Sequence, residues 1–229
     1  MPLSRLVYWA SQTVENVFDS TFIILTFNSI AIAAATSVIT VMLAVFLTFT
    51  TRYFGSRTIN ATNRLAILGY AVPGAVIAIG ILLLAKQVNQ ATGWIMTGSL
   101  SMLVLAYIVR FLAVAWQPID SGMERNCEQI NNASRSLGVT AIQSLTNINI
   151  PLLRNALVTA GLFVFVDTMK ELPLTLILRP FNFETLSTKT FDLAQQAQIP
   201  ESSVPALCII LVSLLPLIWL NLQIRNTEK

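Results

Sequence analysis

The sequence predicts an all-α membrane protein with about five transmembrane helices. Of its 229 residues, 55% are hydrophobic and 11% are charged, whereas a typical soluble domain has about 25% charged residues. Mean hydropathy is +0.69. Four stretches without charge each reach or exceed the roughly 20 residues that cross a bilayer as a helix. They lie between Asp19 and Arg52, between Arg64 and Lys86, between Lys86 and Arg110, and between Glu201 and Arg225. A soluble bundle of buried helices is the alternative, but such helices seldom lack charge over these lengths.

The charge pattern and the apolar runs define five predicted spans and two flanking segments. The spans cover about residues 22–49, 65–85, 97–116, 155–178 and 204–224, which form a single transmembrane domain over 21–224. Residues 1–20 form an amphipathic lead outside the membrane, whose Tyr8 and Trp9 suit the interface. Residues 225–229 form a cytoplasmic tail.

The distribution of Lys and Arg predicts the orientation. One side of the predicted membrane has eight: Arg52, Arg57, Arg64, Arg125, Arg135, Arg154, Arg225 and Lys229. The other side has four: Arg5, Lys86, Arg179 and Lys189. Because cytoplasmic loops carry the excess of positive charge, we expect the N-terminus outside and the C-terminus and loop 117–154 in the cytoplasm.

Composition also limits the chemistry. The chain has no histidine, and its two cysteines lie far apart, which excludes histidine-based catalysis and most zinc sites. The net charge of +3 is too small to suggest a nucleic-acid partner. We therefore predict no catalytic residue and no metal site, and a lipid bilayer as the surroundings.

The cytoplasmic loop contains signals for two short helices. Ser121 with Glu124 fits a capping box that would start the first helix. Gly138 is placed to end it as a left-handed C′ residue. Thr140 and Gln143 form a second capping box.

The loop then leads back to the membrane. Pro151 is expected to hold the residue before it, Ile150, in extended backbone. The small polar outer face of the first helix would let a partner approach closely. An ordinary amphipathic connector without a partner is the alternative.

The spacing of this loop resembles a known family. Asn132-Ala133-Ser134-x3-Gly138-x9-Ile148-x-Ile150-Pro151 is similar to the EAA loop, E-A-A-x3-G-x9-I-x-L-P, of ABC-importer permeases. The resemblance implies the type I permease fold, with a coupling helix within 121–151 that docks on a separate ATPase subunit. The implied coupling residues are Asn132, Ala133, Ser134, Arg135, Gly138, Ile148 and Pro151. Asn132 stands where the family usually has Glu.

Three further stretches resemble the iron(III) permeases of binding-protein-dependent importers: YAVPGAVIAIG (70–80), AYIVRFLAVAWQPI (106–119) and FVDTMKELPLTLILRPFNFETL (165–186). Those permeases usually fuse two homologous halves. This chain resembles one half, closer to the C-terminal one, as a separately encoded half or a truncated product.

The resemblance implies several partners in a bacterial inner membrane. They are an ATP-binding subunit, an extracytoplasmic substrate-binding protein, and a second permease half or an identical copy. The sequence has no phosphate loop, so we expect no cofactor on this chain and ATP with Mg²⁺ on the ATPase subunit.

Charged residues within the predicted spans mark a candidate pathway or gate. Arg110 lies in the third span, and Asp167, Lys170 and Glu171 lie in the fourth. Such charges cost on the order of 2.5–3.5 kcal/mol each and normally face protein or water. Asp167 and Lys170 can pair at i, i+3. A contact between Arg110 and Asp167 is our hypothesis, and Arg110 reaching the cytoplasmic headgroups is the alternative. Pro173 predicts a kink, which serves either a gate or the packing of an ion pair.

Small residues in the second span have two interpretations. Pro73, Gly74 and Gly80 favour close helix packing, and a hinge is the alternative.

Three functions remain open from the sequence. The first is an ABC importer permease for iron(III), or for sulfate, molybdate, thiamine or spermidine. The second is a secondary transporter in which Asp167 and Lys170 relay an ion. The third is a membrane anchor for a cytoplasmic enzyme.

Overall fold

The computed structural model describes residues 2–54, 61, 67–93, 96–126, 130, 134, 136 and 138–227. Within these ranges all regular structure is helical. The helices are α1 (Pro2–Val17), α2 (Ser20–Phe54), α3 (Gly74–Thr92), α4 (Leu100–Asn126), α5 (Ala141–Leu152), α6 (Arg154–Met169), α7 (Pro173–Leu178), α8 (Leu186–Gln195) and α9 (Ile199–Thr227). A 3₁₀ turn at Ile67–Ala71 precedes α3.

Four helices are long and apolar enough to cross a membrane, which confirms the predicted class. They contain Ser20–Tyr53, Gly74–Thr92, Leu100–Glu124 and Ile199–Ile218. A fifth span is possible if α5 and α6 are taken together, although they are bent by 77°. The described chain therefore has four or five candidate spans, as the charge gaps predict.

The second span begins later than predicted. Helix α3 starts at Gly74, with Pro73 as its N-cap, whereas the prediction was 65–85. A proline fits this boundary because it has no N–H to contribute to a helix. Helix α3 ends at Thr92, where Gly93 is left-handed and its N–H donates to the Asn89 carbonyl. The prediction ended the span at residue 85 because Lys86 is charged. The helix continues past this lysine, whose side chain is exposed.

The helix of the third span continues into loop 117–154. Helix α4 passes through Pro118 without a break, so the predicted helix start at Ser121 is wrong. Glu124 does not close a capping box of a new helix; its carboxylate lies 3.7 Å from the Arg52 guanidinium. Arg52 Nε also donates to Asp120 Oδ1 at 2.7 Å. Ion pairs therefore fasten the end of α2 to α4.

The fourth span is broken and not merely kinked. Helix α6 ends at Met169, and Pro173 occupies the first turn of α7. Proline is well tolerated there, since the first N–H groups of a helix have no intrahelical partner. The prediction of one helix bent around Pro173 is wrong, because residues 170–172 leave the helical ladder.

Helix α5 contains a π-helical turn at Leu145–Asn149 between two α-helical segments. The capping box predicted at Thr140 and Gln143 is confirmed in both directions. The extended backbone predicted for Ile150 is wrong, since its φ of −58° and ψ of −50° are helical. Pro151 lies in the first turn of the α-helical segment Ile150–Leu152, which follows the π-helical turn within α5, and a proline is tolerated at such a position.

Two buried clusters hold the helices together. The larger cluster joins α2, α3, α4, α6 and α7, and its fully buried members include Leu103, Ile119 and Val164. The smaller joins α2, α8 and α9 around Leu25, Leu186 and Val204. Helix α1 packs along α9, and the Thr13 hydroxyl donates to the Pro200 carbonyl at 3.1 Å.

A polar cap sets the start of α2. The Phe22 N–H donates to Asp19 Oδ1 at 2.7 Å, as an N-cap does. This bond holds the pKa of the Asp19 carboxyl below its ordinary value. The cap is therefore complete above that ordinary value and is lost as the pH falls through the lowered pKa.

The 3₁₀ turn before α3 packs closely against α4. A Cβ on Gly69 would overlap the backbone carbonyl of Val109, and that carbonyl belongs to a rigid helix. The absence of a side chain at Gly69 thus allows the turn to reach α4.

We predict that Gly69→Ala lowers the thermal stability of the purified chain in detergent. Overpacking of this kind costs about 1–3 kcal/mol. Gly80→Ala is the matched control, because no atom lies within 4 Å of a Cβ there and alanine favours a helix by up to about 1 kcal/mol. Its melting temperature should stay equal or rise. Equal losses in the two variants would contradict the close approach.

Candidate functional site

A buried ion pair lies at the break between α6 and α7. Arg110 Nε on α4 donates to Glu171 Oε2 at 3.0 Å. The Arg110 side chain is 19% exposed and that of Glu171 is 8% exposed. A second guanidinium nitrogen, Nη1, donates to the Val72 carbonyl at 2.8 Å. Arg110 therefore joins α4 to the broken span and to the residues just before α3.

Glu171 satisfies the polar groups that the break exposes. Its Oε1 accepts a hydrogen bond from the Leu174 N–H in the first turn of α7 at 3.3 Å. Its backbone carbonyl accepts from the Thr175 hydroxyl at 2.7 Å and from the Ser187 hydroxyl at 3.1 Å. A buried polar group without a partner is costly, so these bonds allow the chain to leave the helix here.

Hydroxyl groups extend this network. The Tyr107 and Thr175 hydroxyl oxygens lie 2.6 Å apart. Because Thr175 donates its only hydroxyl hydrogen to Glu171, Tyr107 must be the donor of this bond. On the other side, the Leu186 N–H at the start of α8 donates to Ser29 Oγ on α2 at 2.8 Å. The network thus connects α2, α4, α7 and α8.

Gly74 gives the ion pair its space. A Cβ at this position would lie 2.6 Å from Glu171 Oε1 and 3.2 Å from Arg110 Nη1. Gly74 therefore makes the close approach that the sequence suggested, but against a salt bridge instead of an apolar helix face. Gly80 is exposed in the described chain and makes no such contact. Pro73 caps α3.

A second ion pair lies on the surface of the same region. Lys170 Nζ is 2.7 Å from Asp167 Oδ1, as the i, i+3 spacing predicts. The Lys170 side chain is 63% exposed and that of Asp167 is 15% exposed. The hypothesis that Arg110 contacts Asp167 is wrong, as is the alternative that Arg110 reaches the headgroups. Arg110 pairs with Glu171, because the break turns residue 171 toward α4 while Asp167 stays on α6.

A cavity of about 420 Å³ opens beside the exposed pair. Its walls come from α4, α6, α9 and the turn before α3. The lining residues are Tyr70, Ala113, Val114, Gln117, Pro118, Phe163, Val166, Asp167, Lys170 and Leu217. It is therefore mostly apolar, with four polar or charged side chains.

The candidate coupling segment begins with a glycine corner. Gly138 has φ of 78°, in the left-handed region that favours glycine. The Val139 N–H donates to the Ser134 carbonyl at 3.1 Å, which is the outer bond of a Schellman motif. The predicted C′ role of Gly138 is confirmed. Asn132, Ala133 and Arg135 lie outside the described residues.

Helix α5 has one anchored face and one exposed face. Buried Asn149 Nδ2 donates to the Ser144 carbonyl at 2.8 Å. Ile142, two residues before Ser144 and therefore on the opposite side of this turn, is 76% exposed. Ile148 is partly buried and Pro151 is exposed. The exposed face can receive a partner, while Leu145 packs against the larger buried cluster and holds α5 to the spans.

Sequence reasoning missed several residues of this site. Thr175 and Ser187 are absent from the predicted set, although the i, i+4 spacing of Glu171 and Thr175 could have indicated their bond. The Val72 carbonyl has no sequence signal, because a backbone acceptor can be recognised only from the fold. Asn149 resembled an ordinary loop residue.

Comparison with known proteins identifies the fold and the family. Residues 38–229 match the protein family described as "Binding-protein-dependent transport system inner membrane component". The Fe(3+)-transport system permease protein FbpB 2 of Haemophilus influenzae is 27% identical over 224 residues, which cover 96% of this chain. The putative 2-aminoethylphosphonate transport system permease protein PhnV of Salmonella paratyphi A is 26% identical over 195 residues, covering 85% of this chain and 71% of the relative.

A solved structure shares the architecture. It is a bacterial alginate ABC transporter in complex with an alginate pentasaccharide-bound periplasmic protein. One of its chains superposes with a TM-score of 0.75 at 12% identity, covering 100% of this chain and 88% of that chain. This likeness confirms the predicted permease fold. The chain spans only 44% of the length of the Haemophilus relative.

We predict that Glu171→Gln destabilises the purified chain far more than Asp167→Asn does. The first change leaves Arg110 without its buried counter-charge, which costs roughly 3–5 kcal/mol. The second breaks a pair whose lysine is mostly exposed, and such pairs contribute about 0–1 kcal/mol. Unfolding by sodium dodecyl sulfate in mixed micelles measures both. Similar losses of stability would contradict this prediction, because they would show that the two ion pairs contribute equally to the stability of the fold.

Proposed function

The chain belongs to the family of binding-protein-dependent transport system inner membrane components, and on that premise we propose that it is a transmembrane subunit of an ATP-driven importer for iron(III). The observation that carries the choice of substrate is its similarity to the Haemophilus Fe(3+)-transport permease over 96% of this chain. An extracytoplasmic binding protein would deliver the iron, so this chain supplies a passage and not the selective site.

Three partners follow from this role. A cytoplasmic subunit binds ATP and Mg²⁺ and hydrolyses the ATP. A second permease half, identical or related, completes the pathway, because five helices rarely enclose one alone. The substrate-binding protein docks on the outer side. In this arrangement the N-terminus is outside, and α5 faces the cytoplasm.

The shape of α5 supports its role in coupling. Exposed Ile142 and its neighbours on that face would contact the ATPase subunit. Behind them, Leu153 is buried at the 77° bend into α6. Its Cδ2 atom would lie 2.8 Å from a Cβ at Gly122 on α4. Because these atoms are packed so closely, a displacement of α5 moves α4 and α6 together.

The Arg110–Glu171 pair supports the same mechanism at the far end of α6. It holds α4 to the break, where α6 gives way to α7. The two helices are therefore joined at both ends, by packing at Gly122 and by charge at Glu171. Closure of two ATPase subunits would move these joined helices in each permease half and alternate the access of the pathway.

A second substrate class has its own support. The putative 2-aminoethylphosphonate permease of Salmonella is 26% identical over 85% of this chain, close to the value for the iron relative. An importer of a small phosphonate would use the same coupling and the same pathway.

The test is stimulated ATP hydrolysis by the complete transporter in proteoliposomes. The chain is co-expressed with candidate ATPase and permease partners, and the purified complex is given binding protein loaded with iron(III) or with 2-aminoethylphosphonate. We expect ATPase co-purification and stimulation by the iron-loaded protein. Stimulation by the phosphonate-loaded protein alone would identify 2-aminoethylphosphonate, and not iron(III), as the substrate. A chain that binds no ATPase subunit would overturn the proposal.

Gly138 variants separate coupling from assembly in this assay. Gly138→Leu forces a branched side chain into left-handed backbone, at a cost of about 1–2 kcal/mol, and should leave ATP hydrolysis while reducing transport. Gly138→Asn is the matched control, since asparagine tolerates this conformation. Both variants should insert into the membrane normally. Full transport by Gly138→Leu would show that the corner is dispensable.

A further inference from the structure

The two neighbouring ion pairs differ in the hydrogen-bonding groups that remain free to bind a ligand. Both Glu171 carboxylate oxygens accept hydrogen bonds, one from Arg110 and one from the Leu174 N–H. By contrast, Lys170 reaches Asp167 through one contact at 2.7 Å and remains 63% exposed. An ammonium has three N–H donors, so Lys170 keeps donors for a further acceptor. The charged group that keeps free donors in this region is therefore a cation, within a pair whose net charge is zero.

That charge faces a cavity that is partly open to its surroundings. Asp167 and Lys170 line the cavity of about 420 Å³ between α4, α6 and α9. Its other walls are largely apolar, including Val114, Phe163 and Leu217. Apolar walls weaken the screening by water, and a charge–charge interaction is stronger there than in bulk solvent. A ligand of opposite charge would thus be attracted to Lys170.

Neutral polar groups complete the lining. Gln117 on α4 and Tyr70 before α3 are both exposed to the same cavity. An amide offers two N–H donors and a phenol one O–H donor. Together with Lys170 they form a set of donors on several walls, which suits a ligand with several acceptor oxygens.

A bare metal cation fits this lining poorly. Asp167 is its one carboxylate and already pairs with Lys170. A hard cation would have to displace the ammonium and would gain a single charged oxygen ligand. An oxyanion adds to Lys170 without breaking the pair, and its bond is of the strong, charge-assisted kind.

We propose that this cavity is a binding site for an oxyanion, and that it takes carboxylate, phosphate or phosphonate groups, either free or as ligands of iron(III). The inference rests on the proposed import function for its cargo. It implies that iron(III) passes this permease as a complex with an oxyanion and not as the bare ion.

Equilibrium dialysis tests the site on the full chain in nanodiscs of phosphatidylcholine. The probes are [³²P]phosphate, [¹⁴C]citrate and [⁵⁵Fe]iron(III) citrate, with spermidine as a cationic control. We expect the three oxyanion probes to bind and to compete with one another, and spermidine not to compete. Spermidine binding that displaces phosphate would overturn the proposal.

Four variants assign the binding to the cavity. Lys170→Gln should raise the dissociation constants about tenfold or more, as expected for loss of a charged hydrogen bond. Lys170→Arg should restore binding to within about threefold, since arginine also binds oxyanions. Lys86→Gln removes an exposed lysine elsewhere on α3 and should leave binding unchanged. Equal losses in Lys170→Gln and Lys86→Gln would overturn the site.

The fourth variant, Asp167→Asn, should change the affinity for oxyanions and the affinity for cations in opposite directions. It frees Lys170 from its partner, so oxyanion binding should be kept or strengthened, whereas a cation site would be lost. A loss of phosphate binding in a variant with normal thermal stability would contradict the proposal.

Lipid phosphate is the remaining source of this chemistry. Nanodiscs with added phosphatidylglycerol should leave the binding of the soluble probes unchanged. Complete displacement by that lipid would assign the cavity to headgroups and overturn its role for cargo. Because dialysis needs neither the ATPase nor the binding protein, the site and the proposed import function can fail separately.

Discussion

The hydrogen-bonded pair of Arg110 and Glu171 is the interaction on which the rest of this architecture depends. A helix that breaks inside a membrane exposes backbone groups that lipid cannot satisfy. Glu171 meets this requirement at the break, since its carboxylate accepts from Arg110 and from Leu174, and its carbonyl accepts from two hydroxyl groups. Arg110 in turn reaches the Val72 carbonyl. One salt bridge therefore fixes the end of α6, the start of α7 and the approach to α3.

The short segment from Asp167 to Glu171 combines two charge pairs with different environments. In the buried pair both carboxylate oxygens of Glu171 accept hydrogen bonds, and Gly74 packs against it. This pair therefore stabilises the fold. The exposed pair lines a cavity, where a lysine with free donors can meet a ligand. Under the proposed function, the buried pair would transmit motion from α5, and the accessible pair beside it would contact cargo.

Local signals in the sequence predicted much of this structure, and three-dimensional placement did not follow from them. The charge gaps indicated the spans, the Thr140 capping box was confirmed, and Gly138 was placed in left-handed backbone, because each depends on neighbouring residues only. The predicted partner of Arg110 was wrong because Asp167 stays on α6 and pairs with Lys170, whereas the break at residues 170–172 turns Glu171 toward α4. Pro73 was read as a residue within a helix and proved to be its cap, since a proline suits either place.

A double-mutant cycle between Arg110 and Glu171 tests the central claim most directly. The free energy of unfolding is measured in mixed micelles for Arg110→Gln, Glu171→Gln and the double variant, and a second cycle pairs Arg110 with Asp167. Residues in direct contact show coupling of about 0.5–3 kcal/mol, so the account predicts a value in the upper half of that range for Glu171 and nearly zero for Asp167. A larger coupling to Asp167 than to Glu171 would contradict it.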